Sequence, residues 1–239
     1  MRNCLLLISY LYIFVAITGC KHPDEDRRVQ EKSVYDSIAN SEINVNISEY
    51  TDWIKYDIDN FGDIMIPPEM ELQSGKYKEM NDKLRSIAGF VDKQIVFQQS
   101  GLNDFDGSAK ESYARIMLKT SKSDLDIDGD LYDFPLSEYE LEEMQSEFEK
   151  EFTKSMKSQK IQITEWYPIK IVRVNGMEGM LMSYKRKLGN NPEAFVKTYQ
   201  FLNGSKQHLV TLSYRITDAD KWKPLLDKAL SSLSISKIE

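Results

Sequence analysis

The sequence predicts an α+β domain, in which an antiparallel β-sheet is flanked by α-helices, and three observations support this fold class. Strand-like segments come before, between and after helical segments. Asn175-Gly176 lies between two apolar runs, which is typical of a two-residue hairpin because both turn positions need a positive φ. The last helical segment, which starts after Asp218, carries its apolar residues at helical spacing, so that one of its faces should pack on the sheet.

The C-terminal third contains the most continuous pattern. In the strand that ends at Ile216, Val210, Leu212 and Tyr214 alternate with less apolar residues, so one face of the sheet is strongly apolar and the other partly so. Such a sheet can be covered on both sides. Asp218 and Asp220 are the candidate caps for the final helix. The strands predicted here are 169–174, 177–187, 194–202 and 208–216.

The N-terminal part of the domain shows the same mixture of strands and helices. Pro67 ends a strand because proline cannot donate a ladder hydrogen bond, and Gly89 ends a helix. Ser137-Glu138-Tyr139-Glu140 is a capping box, which predicts the start of a helix. The predicted elements are strands 53–58 and 63–66, a helix over 77–88, strands 93–98 and 113–119, a polar loop over 120–135 and a helix over 137–156.

The first 19 residues have the composition of a bacterial signal peptide. Arg2 supplies the positive charge, Leu5–Ile17 forms a short apolar stretch, and Ile17-Thr18-Gly19-Cys20 resembles the lipobox, in which the cysteine receives a lipid. The alternatives are an uncleaved membrane anchor and an ordinary secretory signal. We expect a lipoprotein signal peptide over 1–19, lipidation of Cys20, a tether over 20–48 and a single domain over 49–239.

This N-terminus predicts that the protein is located at the bacterial outer membrane, with the domain on the periplasmic or the cell-surface face. Residues 21–26, Lys-His-Pro-Asp-Glu-Asp, resemble an acidic signal for export to the outer surface. The alternative is a solvated charged linker. The membrane contact is expected to be the lipid on Cys20.

Composition excludes several kinds of chemistry. Cys4 would leave with the signal peptide and Cys20 would carry the lipid, so the mature domain would contain no free thiol. His208 would be the one imidazole of the domain, and we expect it to be an ordinary rim residue of a strand. The formal net charge is −7, and loss of Arg2 would make it −8, which argues against a nucleic-acid partner. We expect no cofactor.

An acidic segment resembles the first half of a calcium-binding loop. It places aspartates at alternate positions and Gly129 at the sixth. Pro135 occupies the twelfth position, where such a loop needs a bidentate glutamate. We therefore expect no metal, and the alternative is a calcium site at Asp124, Asp126, Asp128 and Asp130.

Five motifs occur in an order that resembles the PsbP-like superfamily. The resemblance implies an antiparallel sheet between helices, and a binding or scaffold role more than catalysis; it carries over no site residue. The motifs are Asp-Ile-Met-Ile-Pro-Pro at 63–68, Val-Asn-Gly-Met-Glu-Gly at 174–179, Leu-Val-Thr-Leu-Ser-Tyr at 209–214, Trp-Lys-Pro-Leu-Leu at 222–226 and Ser-Leu-Ser-Ile at 232–235.

Two functions from different classes remain open. The first is a lipid-anchored, non-enzymatic envelope protein that binds or organises an unidentified protein partner. The second is a carboxylate-based hydrolase of cell-surface polysaccharide, which requires two close carboxylates in a cleft. The aromatic run Trp166-Tyr167-Pro168 is a candidate exposed binding patch, and burial is the alternative.

Overall fold

The computed structural model describes residues 50–87, 94–122, 138–158, 160–203 and 206–236. These residues form ten strands and three α-helices, with two short 3-10 helices at Ser108–Glu111 and Ile216–Asp218. In chain order the elements are β1 (Ile54–Ile58), β2 (Gly62–Ile66), β3 (Met70–Leu72), α1 (Gly75–Ile87), β4 (Ile95–Gln99), β5 (Ala114–Lys122), α2 (Glu138–Ser158), β6 (Ile161–Val174), β7 (Met177–Leu188), β8 (Ala194–Asn203), β9 (Lys206–Arg215), α3 (Ala219–Ser231) and β10 (Ser234–Ile235).

Two antiparallel sheets make up the domain. The larger has seven strands in the order β3-β4-β5-β9-β8-β7-β6, and the smaller has three in the order β1-β2-β10. The last strand of the chain therefore pairs with its first hairpin. Gly62 permits this pairing, because a Cβ atom there would lie 1.9 Å from the carbonyl oxygen of Ser234.

The two faces of the large sheet are covered differently. Tyr199 pairs with Val210 in the register, and both belong to the main core together with Trp222 and Leu226 of α3. Met182 pairs with Thr198, the residue before Tyr199, and neighbouring residues of a strand point to opposite faces. Met182 therefore lies on the face opposite to Tyr199. There Met180 and Met182 pack with Leu141, Met144 and Phe148 of α2. The prediction that the sheet lies between helices is confirmed.

Three parts of the architecture differ from the sequence prediction. The short strands β3 and β10 were missed. Strand β6 begins at Ile161, eight residues earlier than predicted, because register shifts at Ile163/Glu165 and Tyr167/Lys170 break the alternation that marks a strand. The predicted hairpin of strands 53–58 and 63–66 pairs with β10 in a small second sheet, whereas the sequence predicted one antiparallel sheet. None of the helices in the described ranges is long and apolar enough to cross a lipid bilayer.

Candidate functional site

Four side chains that are far apart in sequence meet on the face of the large sheet that also carries α2. We call Tyr113, Arg115, Arg186 and Ser213 the arginine–tyrosine cluster. Arg115 of β5 pairs with Ser213 of β9, and Arg186 of β7 lies two strands further along the sheet. Tyr113 immediately precedes β5, so its side chain reaches across this face.

The start of α3 fixes the backbone that carries the cluster. Asp218 occupies the N-cap position as predicted, but its side chain makes no capping hydrogen bond. Its carboxylate instead accepts hydrogen bonds from the Ser112 hydroxyl at 2.8 Å and from the Tyr113 backbone N–H at 3.3 Å. The Trp222 indole donates to the same Ser112 hydroxyl at 2.7 Å. The residue before Tyr113 is thus tied to a helix buried in the main core.

The Tyr113 hydroxyl is the centre of the cluster. Arg186 Nη2 donates to it at 3.0 Å, and the Ser213 hydroxyl lies 3.0 Å away on its other side. A guanidinium can only donate, so the Tyr113 oxygen accepts from Arg186, whereas either hydroxyl can be the donor in the bond between Tyr113 and Ser213. The guanidinium carbon of Arg115 lies 5.5 Å from the centre of the Tyr113 ring.

The arginines of the cluster have unused hydrogen-bonding capacity. Arg115, Arg186 and Tyr113 are half-buried and Ser213 is fully buried. Arg115 Nε is buried without a hydrogen-bond partner. Within the described ranges, neither arginine has a carboxylate within 4.0 Å. A buried donor on a charged group costs free energy when it has no acceptor, which makes this cluster the strongest candidate for a binding site.

The ionisation of Tyr113 reflects the two arginines. Burial is the largest single influence and favours its neutral form, but the positive charges of Arg186 and Arg115, together with hydrogen bonds from Ser213 and Arg186, lower the pKa of Tyr113 below its ordinary value. Burial likewise opposes the charge on Arg186, yet the neighbouring Tyr113 and Tyr184 hydroxyls raise the pKa of Arg186. The cluster therefore favours negative charge at the position between its two guanidinium groups.

Neighbouring residues close the cluster on two sides. On one side Gln98 pairs with Arg115 in the register, and its amide donates to Glu71 at 3.3 Å. The Glu71 carboxylate also accepts the backbone N–H groups of Asn103 at 2.7 Å and Gly101 at 3.1 Å. This acid is thus already satisfied by a loop and does not neutralise Arg115.

On the other side, packed aromatic side chains lie between the cluster and the backbone of α2. Tyr184 lies 5.1 Å, centre to centre, from both Trp166 and Phe152, and burial raises the pKa of Tyr184 to about 12. Trp166 is half-buried and packs on Phe148 and Phe152 of α2. Trp166 is therefore packed against α2, as the alternative of burial expected, and is not part of a fully exposed patch.

His208 lies in the core and not at a rim. Its side chain is 1% exposed, its Nδ1 lies 3.0 Å from the Thr120 hydroxyl, and its ring packs edge-on against Phe61 at 5.1 Å. Nε2 has no hydrogen-bond partner. Burial and the nearby Lys206 lower the pKa of His208 to about 4, so the ring is neutral at neutral pH. The prediction of a rim residue was wrong because the loop after β1 covers this end of the sheet.

The remaining predicted site residues cannot be placed by the structure. Cys20 and the candidate calcium loop, Asp124, Asp126, Asp128 and Asp130, lie outside the described residues. In the described part of the chain, no group of three or more His, Cys, Asp or Glu side chains could hold a metal ion.

Sequence patterns did not identify the arginine–tyrosine cluster. One signal was present in the sequence. Ala114, Ile116 and Leu118 point to the apolar face of a central strand, so Arg115, which lies between the first two, places a charge on the other face. No local rule connects that position with Arg186, because the contact depends on the strand order of the sheet.

No protein-family model and no curated protein sequence matches the chain. Among solved structures, the chain resembles cyanobacterial PsbP from Synechocystis at 15% identity, with a TM-score of 0.48, over 77% of this chain and 92% of that one. It also resembles PA94 of Pseudomonas aeruginosa, a protein of unknown function described as a putative regulator, at 11% identity, with a TM-score of 0.38, over 78% and 99%.

A third similar structure is LpqN of Mycobacterium tuberculosis, which is described as involved in cell envelope biogenesis. It is 10% identical, with a TM-score of 0.40, over 81% of this chain and 99% of that one. The architecture described above, an antiparallel sheet between helices, is the one that the resemblance to PsbP-like proteins implied. At these identities, likeness concerns the fold alone and assigns no ligand or reaction.

Proposed function

We propose that the protein is a lipid-anchored, non-enzymatic binding domain of the bacterial cell envelope. The observation that carries this proposal is the arginine–tyrosine cluster, where Arg115 Nε has no acceptor among the described residues and the Arg186 guanidinium donates to the Tyr113 hydroxyl. Such groups are suited to holding a ligand or partner in place. They supply neither a nucleophile nor a general base at neutral pH.

The proposed location rests on the N-terminal residues Ile17-Thr18-Gly19-Cys20. A lipid on Cys20 would hold the protein at the outer membrane, with the domain on the periplasmic or the cell-surface face. The tether from 20 to 48 would separate the domain from the bilayer. The protein partner expected from the sequence belongs to the same proposal.

A carboxylate hydrolase finds less support in the contacts of the acidic residues. Asp227 bonds to Lys197 at 2.7 Å and to Lys223 at 3.1 Å. Glu165 forms an ion pair with Lys185, and hydrogen bonds from that lysine and from Tyr167 lower the pKa of Glu165. A general acid for glycoside hydrolysis needs a raised pKa instead. These acids are arranged as structural ion pairs.

The test is a turnover assay combined with cell fractionation. The full chain, purified in a non-ionic detergent, is incubated with a panel of glycan, ester and peptide substrates, and products are quantified by mass spectrometry. We expect no product above that of the buffer, and we expect the protein in the membrane fraction. Multiple turnovers of any substrate would overturn the non-enzymatic proposal, and recovery in the soluble fraction would overturn the anchored one.

A further inference from the structure

We propose that the arginine–tyrosine cluster is a binding subsite for the phosphate group of an envelope ligand. This inference rests on the binding role proposed above and names the chemistry that the site would recognise. Its parts are the guanidinium groups of Arg115 and Arg186, with the hydroxyls of Tyr113 and Ser213 between them.

Charge is the first argument for a phosphate. The cluster brings two guanidinium groups to one tyrosine, and the structure places no carboxylate within 4.0 Å of either among the residues that it describes. A phosphate monoester carries close to two negative charges at neutral pH, so it matches the charge of the pair, whereas a carboxylate neutralises half of it. The chain as a whole is acidic, with a net charge of −7, so this positive cluster is a local exception.

Donor geometry is the second argument. Each guanidinium carries several N–H donors in one plane. Arg186 uses its Nη2 to donate to the Tyr113 hydroxyl, and Arg115 Nε donates to no described residue. The two guanidinium groups contact Tyr113 at different places, since Arg186 Nη2 bonds to the hydroxyl oxygen and the Arg115 guanidinium carbon lies 5.5 Å from the centre of the ring. A tetrahedral phosphate accepts bonds from several directions, whereas a planar carboxylate is best held by a single fork.

Electrostatics within the cluster point the same way. The two arginines lower the pKa of Tyr113 despite its burial, which shows that the cluster stabilises negative charge at that hydroxyl. The same two arginines would stabilise the negative charge of a phosphate oxygen bound beside Tyr113. Tyr113, Arg115 and Arg186 are half-buried, so part of each residue is exposed to solvent, although Arg115 Nε itself is buried.

The test is isothermal titration calorimetry on the full chain in a non-ionic detergent. The probes are inorganic phosphate, glycerol 3-phosphate and glucose 1-phosphate, with glucuronate as the carboxylate comparison. We expect saturable binding of the phosphates, weakened by added salt, and at least about tenfold weaker binding of glucuronate. Equal binding of all three phosphates would mean that free phosphate suffices. A preference for glycerol 3-phosphate indicates a lipid headgroup, and one for glucose 1-phosphate indicates a phosphorylated glycan.

Variants of the two arginines locate the binding. Arg115→Gln and Arg186→Gln should each weaken phosphate binding by roughly tenfold or more, since each removes charge-assisted hydrogen bonds. Arg115→Gln is the more secure variant, because the Arg115 guanidinium makes no hydrogen bond that folding requires. Arg173→Gln is the matched control. It also removes one arginine of the large sheet, but that arginine pairs with Glu178 at 3.3 Å, outside the cluster, and binding should stay unchanged.

Two results would overturn the inference. The first is the absence of saturable binding by all three phosphates at millimolar concentration. The second is a folded Arg115→Gln protein that binds phosphate as tightly as the unchanged chain. Neither result contradicts the lipid-anchored binding role if the protein is found in the membrane fraction and turns over no substrate. The phosphate subsite can therefore be disproved without disproving the binding role.

Discussion

Asn175 donates its side-chain amide to the carbonyl oxygen of Ser231 at 2.6 Å, and to that of Leu233 at 2.7 Å. The last carbonyl groups of a helix have no partner within the helix. The turn between β6 and β7 therefore caps the end of α3 just before the chain enters β10. Asn175 has a φ of 49°, a conformation that asparagine tolerates better than most residues, so one residue both forms the hairpin and fastens the C-terminal helix.

Replacing Asn175 with glycine should destabilise the domain by about 1–2 kcal/mol, because two carbonyl groups lose their donor while the positive φ remains allowed. Asn175→Asp should cost more, since a carboxylate would face the same two carbonyl oxygens. Equilibrium urea unfolding, followed by tryptophan fluorescence, measures both changes. An Asn175→Gly protein as stable as the unchanged chain would show that these bonds contribute nothing.

Gly179 lies directly under the Phe201 ring. A Cβ atom at this position would be 2.6 Å from Phe201 Cδ1 and 2.8 Å from the carbonyl oxygen of Gln200. Because Phe201 is buried in the main core, Gly179→Ala should destabilise the domain by about 1–3 kcal/mol. Urea unfolding provides the measurement.

Gly107→Ala is the matched control for that change. A Cβ atom at position 107 would have no atom within 4 Å, so this variant should unfold like the unchanged chain. Combining Gly179→Ala with Phe201→Leu should cost less than the sum of the two single changes, since the shorter side chain relieves part of the clash. Strict additivity would show that the ring is not what excludes a side chain at position 179.

His208 should make the protein less stable in acid. Its pKa is lowered from 6.5 to about 4 in the folded protein. Between these two values the unfolded chain binds a proton that the folded protein excludes, so stability is lost as pH falls from about 6.5 to about 4. The full effect is on the order of 3 kcal/mol. Thermal unfolding of the unchanged chain and His208→Gln across this range measures it.

The comparison isolates histidine from the carboxylates that also titrate in acid. His208→Gln should lose clearly less stability between pH 6.5 and pH 4 than the unchanged chain does. His22→Gln removes the other histidine of the sequence and should keep the original pH dependence. Parallel pH profiles for the unchanged chain and His208→Gln would contradict the depressed pKa.

Calcium should not stabilise the protein. A ligand that binds only the folded state stabilises it by about 2.7 kcal/mol at a hundredfold excess over its Kd, which is easily seen as a rise in Tm. We expect no rise in millimolar calcium relative to chelator, because Pro135 occupies the position of the bidentate ligand. A rise of several degrees that Asp126→Ala abolishes would establish a calcium loop at 124–130.

Much of the fold followed from local patterns. Asn175-Gly176 gave the correct hairpin, the alternation of Val210, Leu212 and Tyr214 gave the correct buried face, and Trp222 lies fully buried in the core. These features depend on neighbours a few residues apart, so sequence periodicity reports them directly.

What the sequence did not reveal depends on long-range pairing. The small sheet of β1, β2 and β10 includes the pairing of Asp63 with Ser234, which lies 171 residues later in the chain. Asp218 was correctly predicted to begin a helix, yet its carboxylate binds Ser112 and Tyr113. The arginine–tyrosine cluster was missed for the same reason, because its members lie on β5, β7 and β9 and in the residue before β5.

The proposed envelope role depends first on the lipid anchor, and intact-mass analysis of the protein isolated from bacterial membranes tests it most directly. We expect a chain that begins at Cys20 and carries attached fatty acids. We also expect that Cys20→Ala yields a precursor that retains residues 1–19 and incorporates no labelled fatty acid. A membrane-derived chain with an unmodified Cys20, or equal fatty-acid labelling of Cys20→Ala, would contradict the anchored binding domain described here.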